Sequence, residues 1–174
     1  VVGNARKTNG GQDLYVASTS APTINDDMTI AFWIKALPTA SSSYKFIEKQ
    51  LYTSGGFGGW MIEQSSTTAK LKIRLDTNST FLADFTACSG NTYCNQGTVS
   101  QTEILTGEWN HIAFTLEKNN SDTDNSEINI YINGVIDKTS NYKHGIGFDR
   151  VAKLYILKDL VKGSLDEFAI WSRA

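Results

Sequence analysis

Residues 70–75 read Lys-Leu-Lys-Ile-Arg-Leu, a strict alternation of cationic and aliphatic side chains. A period of two puts Leu71, Ile73 and Leu75 on one side of an extended chain and Lys70, Lys72 and Arg74 on the other, as a half-buried β-strand requires. The period returns at 127–132, Glu-Ile-Asn-Ile-Tyr-Ile, and again at 135–137 after Asn133-Gly134. Asn-Gly accepts positive φ at both central positions of a tight turn, so 127–137 is expected to form a type I′ hairpin. Further strands are expected at 13–17, 28–36, 45–49, 60–64, 80–85, 98–104, 110–117, 153–157 and 163–172. Polar punctuation at 39–43, 53–59, 64–68, 119–126 and 141–147 separates them. Helical periodicity is nearly absent. Short strands at this spacing predict an all-β sandwich or barrel.

The chain has 174 residues, which fits a single domain over 1–174 with a sizeable core. Its hydrophobic share of 40% and aromatic share of 11% suit a packed globule. Net charge is −2 with no long block of one sign, which argues against a nucleic-acid partner. No apolar run approaches the ~18 residues of a spanning helix, so membrane insertion is not expected. The chain opens Val1-Val2-Gly3-Asn4, with neither a start methionine nor a signal-peptide pattern, and is expected to be a processed product or a domain of a longer protein. Cys88 and Cys94 enclose five residues. Two cysteines with the dispersed His111 and His144 make a poor zinc set. A disulfide-closed loop in an oxidising compartment is the reading, with two reduced thiols in a cytosolic loop as the alternative.

The segment 107–115, Gly-Glu-Trp-Asn-His-Ile-Ala-Phe-Thr, followed by Tyr131-Ile132-Asn133-Gly134, resembles the Trp-x-His…Tyr-x-Asn-Gly signature of laminin G-like, concanavalin A-like jelly rolls. The ending from Gly163 through Leu165-Asp166-Glu167 to Trp171-Ser172-Arg173-Ala174 is similar to that family's closing strand. Residues 28–35 are similar to an early strand, and 55–60 to its glycine-rich turn. The resemblance spans 28–174 and implies a two-sheet antiparallel β-sandwich, a jelly roll. Trp33, Trp109 and Trp171 are then expected as core anchors between the sheets. His111 is expected to be structural, buried or at a sheet margin.

Some relatives with this fold are glycoside hydrolases, which the resemblance says carry a Glu-x-Asp-x-(x-)Glu strand. Glycosidic cleavage needs two carboxylates ~5–9 Å apart. The glutamates at 48, 63, 103, 108, 117, 127 and 167 form no such array, and Asp166 and Glu167, as strand neighbours, are expected to face opposite ways. No nucleophile elbow, phosphate loop or zinc-protease motif is present either. The expectation is a protein that is not an enzyme.

The resemblance implies a structural Ca2+ at Asp166, completed by backbone carbonyls near Asn4 and residues 10–13; a carboxylate and carbonyls suit that ion. The alternative is an Asp166 that caps the N-terminal segment without metal. The run 119–127, whose Asp-x-Asp-x-x-Glu spacing is a rival cation site but lacks the glycine and length of an EF-hand loop, is read as a solvated hairpin loop. For a ligand surface, aromatics in or beside turns are the informative class, because flat rings stack on the C–H faces of sugars. Tyr44, Tyr52, Trp60, Tyr93 and Tyr142 are the candidates, Tyr93 lying inside the Cys88–Cys94 loop and Trp60 doubling as a possible core residue. The leading expectation is a non-catalytic extracellular module, secreted or on a cell surface, binding a glycan or glycoprotein beside other domains of its parent chain. The alternative is a structural or protein-interaction domain of an adhesin or appendage.

Overall fold

The structure, a computed structural model, describes residues 6–9, 14–21, 27–38, 44–53, 56–65, 68–78, 93–117, 126–142, 152–157 and 162–174. Its described elements are the strands β1 (Arg6–Asn9), β2 (Leu14–Val16), β3 (Met28–Ala36), β4 (Lys45–Thr53), β5 (Gly56–Gln64) and β6 (Leu71–Asn78). They continue with β7 (Tyr93–Val99), β8 (Asn110–Glu117), β9 (Ser126–Ile132), β10 (Val135–Tyr142), β11 (Leu154–Ile156) and β12 (Lys162–Trp171). They form two six-stranded sheets: sheet A in the order β1-β12-β3-β8-β9-β10, and sheet B in the order β2-β11-β4-β5-β6-β7. Every neighbouring pair is antiparallel. The expected all-β sandwich is what the chain forms. Among the described residues no helix is long and apolar enough to cross a membrane.

Alternation decides which side chains meet between the sheets. In β3, Met28, Ile30, Phe32 and Ile34 are fully buried, while Thr29, Trp33 and Lys35 stand on the other face. In β8, Ile112, Phe114 and Leu116 point inward, and Phe114 stacks on Phe32 with ring centroids 6.3 Å apart. Sheet B answers with Trp60, Ile62, Leu71, Ile73 and Leu75. Burying such side chains contributes ~1.5–3 kcal/mol each, which is the main term holding the layers together. The two sheets also join at one edge, where Thr98 Oγ1 of β7 and Ser140 Oγ of β10 lie 2.7 Å apart.

The hairpin is confirmed in detail. Asn133 and Gly134 have φ of 51° and 81°, Val135 pairs with Ile132, and the turn is the expected one. Other boundaries move. The strand expected at 98–104 does not form: β7 spans 93–99 and overlaps it only at Thr98 and Val99, and beyond it the N–H groups of Gln101 and Thr102 donate to the Asp137 carboxylate at 2.6 and 3.0 Å. Asp137 is itself the extra residue of a bulge between Ile136 and Lys138. The strand expected at 80–85 lies outside the described residues.

Tyr142, expected at a ligand surface, is instead part of the core at 3% exposure. Burial, then the charges of Asp27 and Glu117, push its hydroxyl up to about 12 against a side-chain hydrogen bond with Ser126 that lowers it. The unfolded chain therefore ionises this group first, and stability present below pH ~10 is lost as pH rises towards 12, by roughly 2–3 kcal/mol. Urea titrations between pH 9 and 12 are expected to show that loss, and Tyr142→Phe to flatten it. An unchanged slope in the variant would remove Tyr142 as its source.

Candidate functional site

The tryptophans sort differently from the sequence-based expectation. Trp60 is the core tryptophan, 1% exposed, inward on β5, with no hydrogen-bond partner for Nε1 among the described residues. Trp109 and Trp171, expected inside, are 39% and 40% exposed, and Trp33 is half-buried on the outer face of sheet A. The reason is parity. Trp33 falls on the same face of β3 as Thr29 and Lys35, and that face looks outward because Met28, Ile30, Phe32 and Ile34 take the inner one.

Register lays out this outer face as rows across the strands. One row runs Ala169, Ala31, Ala113, Tyr131, Ile136 from β12 through β3, β8 and β9 to β10. Three of its members are alanines, so the row is a floor. A row to one side holds Asp166, Trp33 and His111. A row to the other side holds Trp171, Thr29, Thr115, Asn129 and Thr139. Register thus leaves a shallow trough at the three alanines, flanked by Trp33 and His111 on one side and Trp171 on the other, with Tyr131 and the 56% exposed Ile136 closing the row toward β10.

The walls are fixed by local contacts. Trp33 and His111 meet edge to face, ring centroids 5.2 Å apart. Trp33 Nε1 donates to Glu167 Oε2 at 3.2 Å. His111 is half-buried, second residue of β8, its ring half of an aromatic pair, and its backbone N–H donates to Asn133 Oδ1 at 2.9 Å. On the opposite wall Thr139 Oγ1 donates to Asn129 Oδ1, and Asn129 Nδ2 to Glu127 Oε1, both at 2.6 Å. Thr29 Oγ1 donates to the Arg173 carbonyl at 2.6 Å. The buried Thr115 Oγ1 has no partner among the described residues.

Asp166 and Glu167 do not face opposite ways. Between Asp166 and Ala169 the chain spends one residue more than β3 does between Trp33 and Ala31, a β-bulge, and Glu167 takes φ of 49°. The extra residue brings the Glu167 carboxylate to the Trp33 face, which Asp166 also shares. A left-handed φ costs a glutamate ~1–2 kcal/mol, so two adjacent carboxylates on this wall are held against strain. Asp166 Oδ1 accepts the Glu167 N–H at 2.9 Å. Among the described residues no three His, Cys, Asp or Glu side chains gather as metal ligands. The carbonyls expected to complete a calcium site near Asn4 and residues 10–13 lie outside the described residues.

The remaining sequence candidates are dispersed. Tyr44 packs half-buried against the core, and its carbonyl accepts the Gln64 N–H. Tyr52 lies opposite Phe57 in the β4–β5 ladder, and Tyr93 opposite Asn78 between β6 and β7. Cys94 follows Tyr93 in β7, while Cys88 lies outside the described residues. None of the five candidate aromatics lines the trough. Glu63, one of the glutamates weighed for catalysis, is buried on the outward side of sheet B, 3.5 Å from Arg74 Nη1.

Two six-stranded antiparallel sheets with an open aromatic face define a lectin-like jelly roll. The chain belongs to the concanavalin A-like lectin/glucanases superfamily, whose profile matches residues 9–174. No curated protein matches it. Among solved structures it is similar to the binding domain of botulinum neurotoxin DC in complex with rat synaptotagmin II (17% identity, TM-score 0.60, covering 86% of this chain and 33% of that one). It is likewise similar to botulinum neurotoxin type C, whose cell entry depends on interaction with two ganglioside molecules (17%, 0.59, 87% and 34%). An endo-β-1,4-glucuronan lyase from the fungus Trichoderma reesei shares the fold at 10% identity (0.58, 94% and 71%). The chain spans about a third of the length of the neurotoxin chains.

Proposed function

We propose that this chain is a non-catalytic carbohydrate-recognition module that binds through the outer face of sheet A. The observation that carries the reading is the low alanine stretch of the outer face, with Trp33 and Trp171 to either side and Tyr131 at its β9 end. Sugar C–H faces stack on such rings, and Thr139, His111 and Glu167 supply polar groups for hydroxyls, Thr139 being held by the buried Asn129. Binding of this kind needs no bond-breaking step. The lectin superfamily and the ganglioside dependence of the type C neurotoxin support it.

A broad glycan array is the test. Native protein is expected to give a specific hit, and Trp33→Ala to weaken it by about tenfold or more, as loss of a central aromatic anchor does. A chain that melts normally and hits nothing sinks the reading.

The second reading, a protein-interaction domain, is favoured by Leu37, Trp109 and Val135, exposed apolar side chains near one end of sheet A, and by the synaptotagmin complex of a structural neighbour. Secretion, a Cys88–Cys94 disulfide and other domains in the parent chain complete the proposal as an extracellular module. Calcium at Asp166 is proposed separately. EDTA is then expected to lower the melting temperature by several degrees, and Asp166→Ala to abolish that response. A melting temperature indifferent to EDTA overturns it.

A further inference from the structure

We propose that Asn133 is a covalent modification site whose side chain, on losing ammonia, unlatches the loop 104–109 from the end of sheet A. Asn133-Gly134 is one of two Asn-Gly pairs in the sequence, the other being Asn9-Gly10. In such a pair the peptide nitrogen of the glycine attacks the side-chain carbonyl carbon of the asparagine. A C–N bond forms, the attacking nitrogen gives up its proton, ammonia leaves and a five-membered imide remains. Water then opens the imide at one carbonyl or the other, leaving an aspartate or an isoaspartate; nothing is oxidised or reduced. A side chain on the second residue obstructs the attack, and Gly134 has none. Both residues of the turn are exposed, and nothing lies within 4 Å of where a Gly134 Cβ would stand, so water reaches the reacting atoms. The reaction needs no occupant in the trough.

What sets this site apart is how the fold uses the carboxamide. Oδ1 accepts the backbone N–H of His111 at 2.9 Å, and Nδ2 donates to Asn110 Oδ1 at 3.0 Å. The Asn133 backbone N–H closes the same corner on the His111 carbonyl at 2.8 Å. Both ends of the amide are held, so its carbon meets the Gly134 nitrogen only when these bonds let go. The chain of bonds continues, because Asn110 Nδ2 donates to the Ile104 carbonyl at 3.2 Å. Asn133 thus orients the Asn110 amide, and that amide holds the loop. A carboxylate at 133 has acceptors alone. It keeps the His111 N–H but sets an oxygen against Asn110 Oδ1. If the two oxygens part, the Asn110 amide loses what orients it; if that amide turns over, Ile104 loses its donor. Ile104 is only 1% exposed, and a buried carbonyl without a donor is costly. An isoaspartate also adds a backbone carbon to a two-residue turn, whose length sets the register of β9 on β10. The loop ends on Trp109 and lays Gly107 beside Leu37, so the change falls on the exposed apolar end of sheet A.

The experiment is peptide mapping by mass spectrometry of the whole chain, aged at mildly alkaline pH with and without urea, each site read by the mass gain of an amide turned acid. In urea Asn133 and Asn9 are expected to react at similar rates. In the folded chain Asn133 is expected to react measurably but at least about tenfold more slowly than in urea, since two hydrogen bonds must break first. Asn110→Ala is expected to return about fivefold of that, the factor one ordinary hydrogen bond carries. Asn133→Asp, the product of one branch, gives an independent readout by hydrogen exchange. The amides of Ile104, Leu105 and Gly107, which donate to the carbonyls of Ala69 and Ala36, are expected to exchange about fivefold faster in it, with those of β12 unchanged. Equal rates at Asn133 in the folded and urea samples, or an Asn133 wholly intact when the urea sample has reacted to completion, overturns the site. Unchanged exchange at 104–107 in Asn133→Asp overturns the release of the loop.

Discussion

Gly59→Ala is expected to cost at least ~4 kcal/mol, beyond the 0.5–3 kcal/mol of most substitutions. Gly59 has φ of 133°, and a Cβ built there would sit 2.1 Å from the Lys49 carbonyl oxygen and 2.8 Å from the Gln50 Cα. Both obstacles are backbone, so no side-chain rotation relieves them. The position is central: β5 lies between β4 and β6, and Gly59 pairs with Gln50 on one side and Asp76 on the other. Its neighbour Trp60 anchors the core from the same strand. Relieving the clash means opening the ladder beside that tryptophan. A fall in melting temperature of roughly 10 °C or more follows for a domain of this size. Gly134→Ala is the control. Gly134 also has positive φ, 81°, but open space around its Cβ, so only the left-handed penalty of ~1–2 kcal/mol applies. If thermal and urea melts place the two variants together, the backbone contact at Gly59 is not what holds β4 and β5 in register.

The alternation at 70–75 and the Asn-Gly turn made the sandwich legible, because period and turn chemistry are local properties that tertiary packing here reinforces. The site was less legible, and Trp33 shows why. Aromatic size suggests the core, yet Thr29 and Lys35 share its parity and already mark an outer face. That signal was available in residues 28–36. Trp171 was harder, since the bulge at Glu167 shifts register against β3 before it, and a bulge leaves no pattern in an Asp-Glu-Phe run. For the same reason alternation put the two carboxylates on opposite faces when the folded chain brings both to Trp33. β4 hides its pattern differently. Glu48, Lys49 and Gln50 are all buried, so neither side of that strand reads as a solvent face. Flanking glycines and turn residues suggest a ligand surface at Trp60 and Tyr142, but these are features of the backbone that say nothing about where a ring points. The trough floor was invisible for a further reason. Ala31, Ala113 and Ala169 lie on three strands, and only register places them side by side.

Raising that floor is expected to remove glycan binding while leaving the fold intact. Ala113 sits mid-row, opposite Ala31 on β3 and Tyr131 on β9, on the face away from the core. Ala113→Ile adds three carbons there, and a β-branched side chain suits a strand on a pleated surface. The core contacts of Ile112 and Phe114 are untouched, so stability is expected to change by less than ~1 kcal/mol. A ligand lying on the alanines must rise or tilt to clear the new side chain. Dispersion falls off so steeply that a radial gap of ~0.5–1 Å forfeits a quarter to a half of each contact, and every ring stacked along the trough loses together. The expected result is a loss of about thirtyfold or more in affinity, ~2 kcal/mol, at an unchanged melting temperature. Trp33→Ala removes one wall contact and is expected to cost less than this shared loss of the floor. A normally folded Ala113→Ile variant that still binds its glycan at native affinity would show that the sugar lies elsewhere on the jelly roll, and the apolar side chains Leu37, Trp109 and Val135 near one end of sheet A would then be the next surface to test.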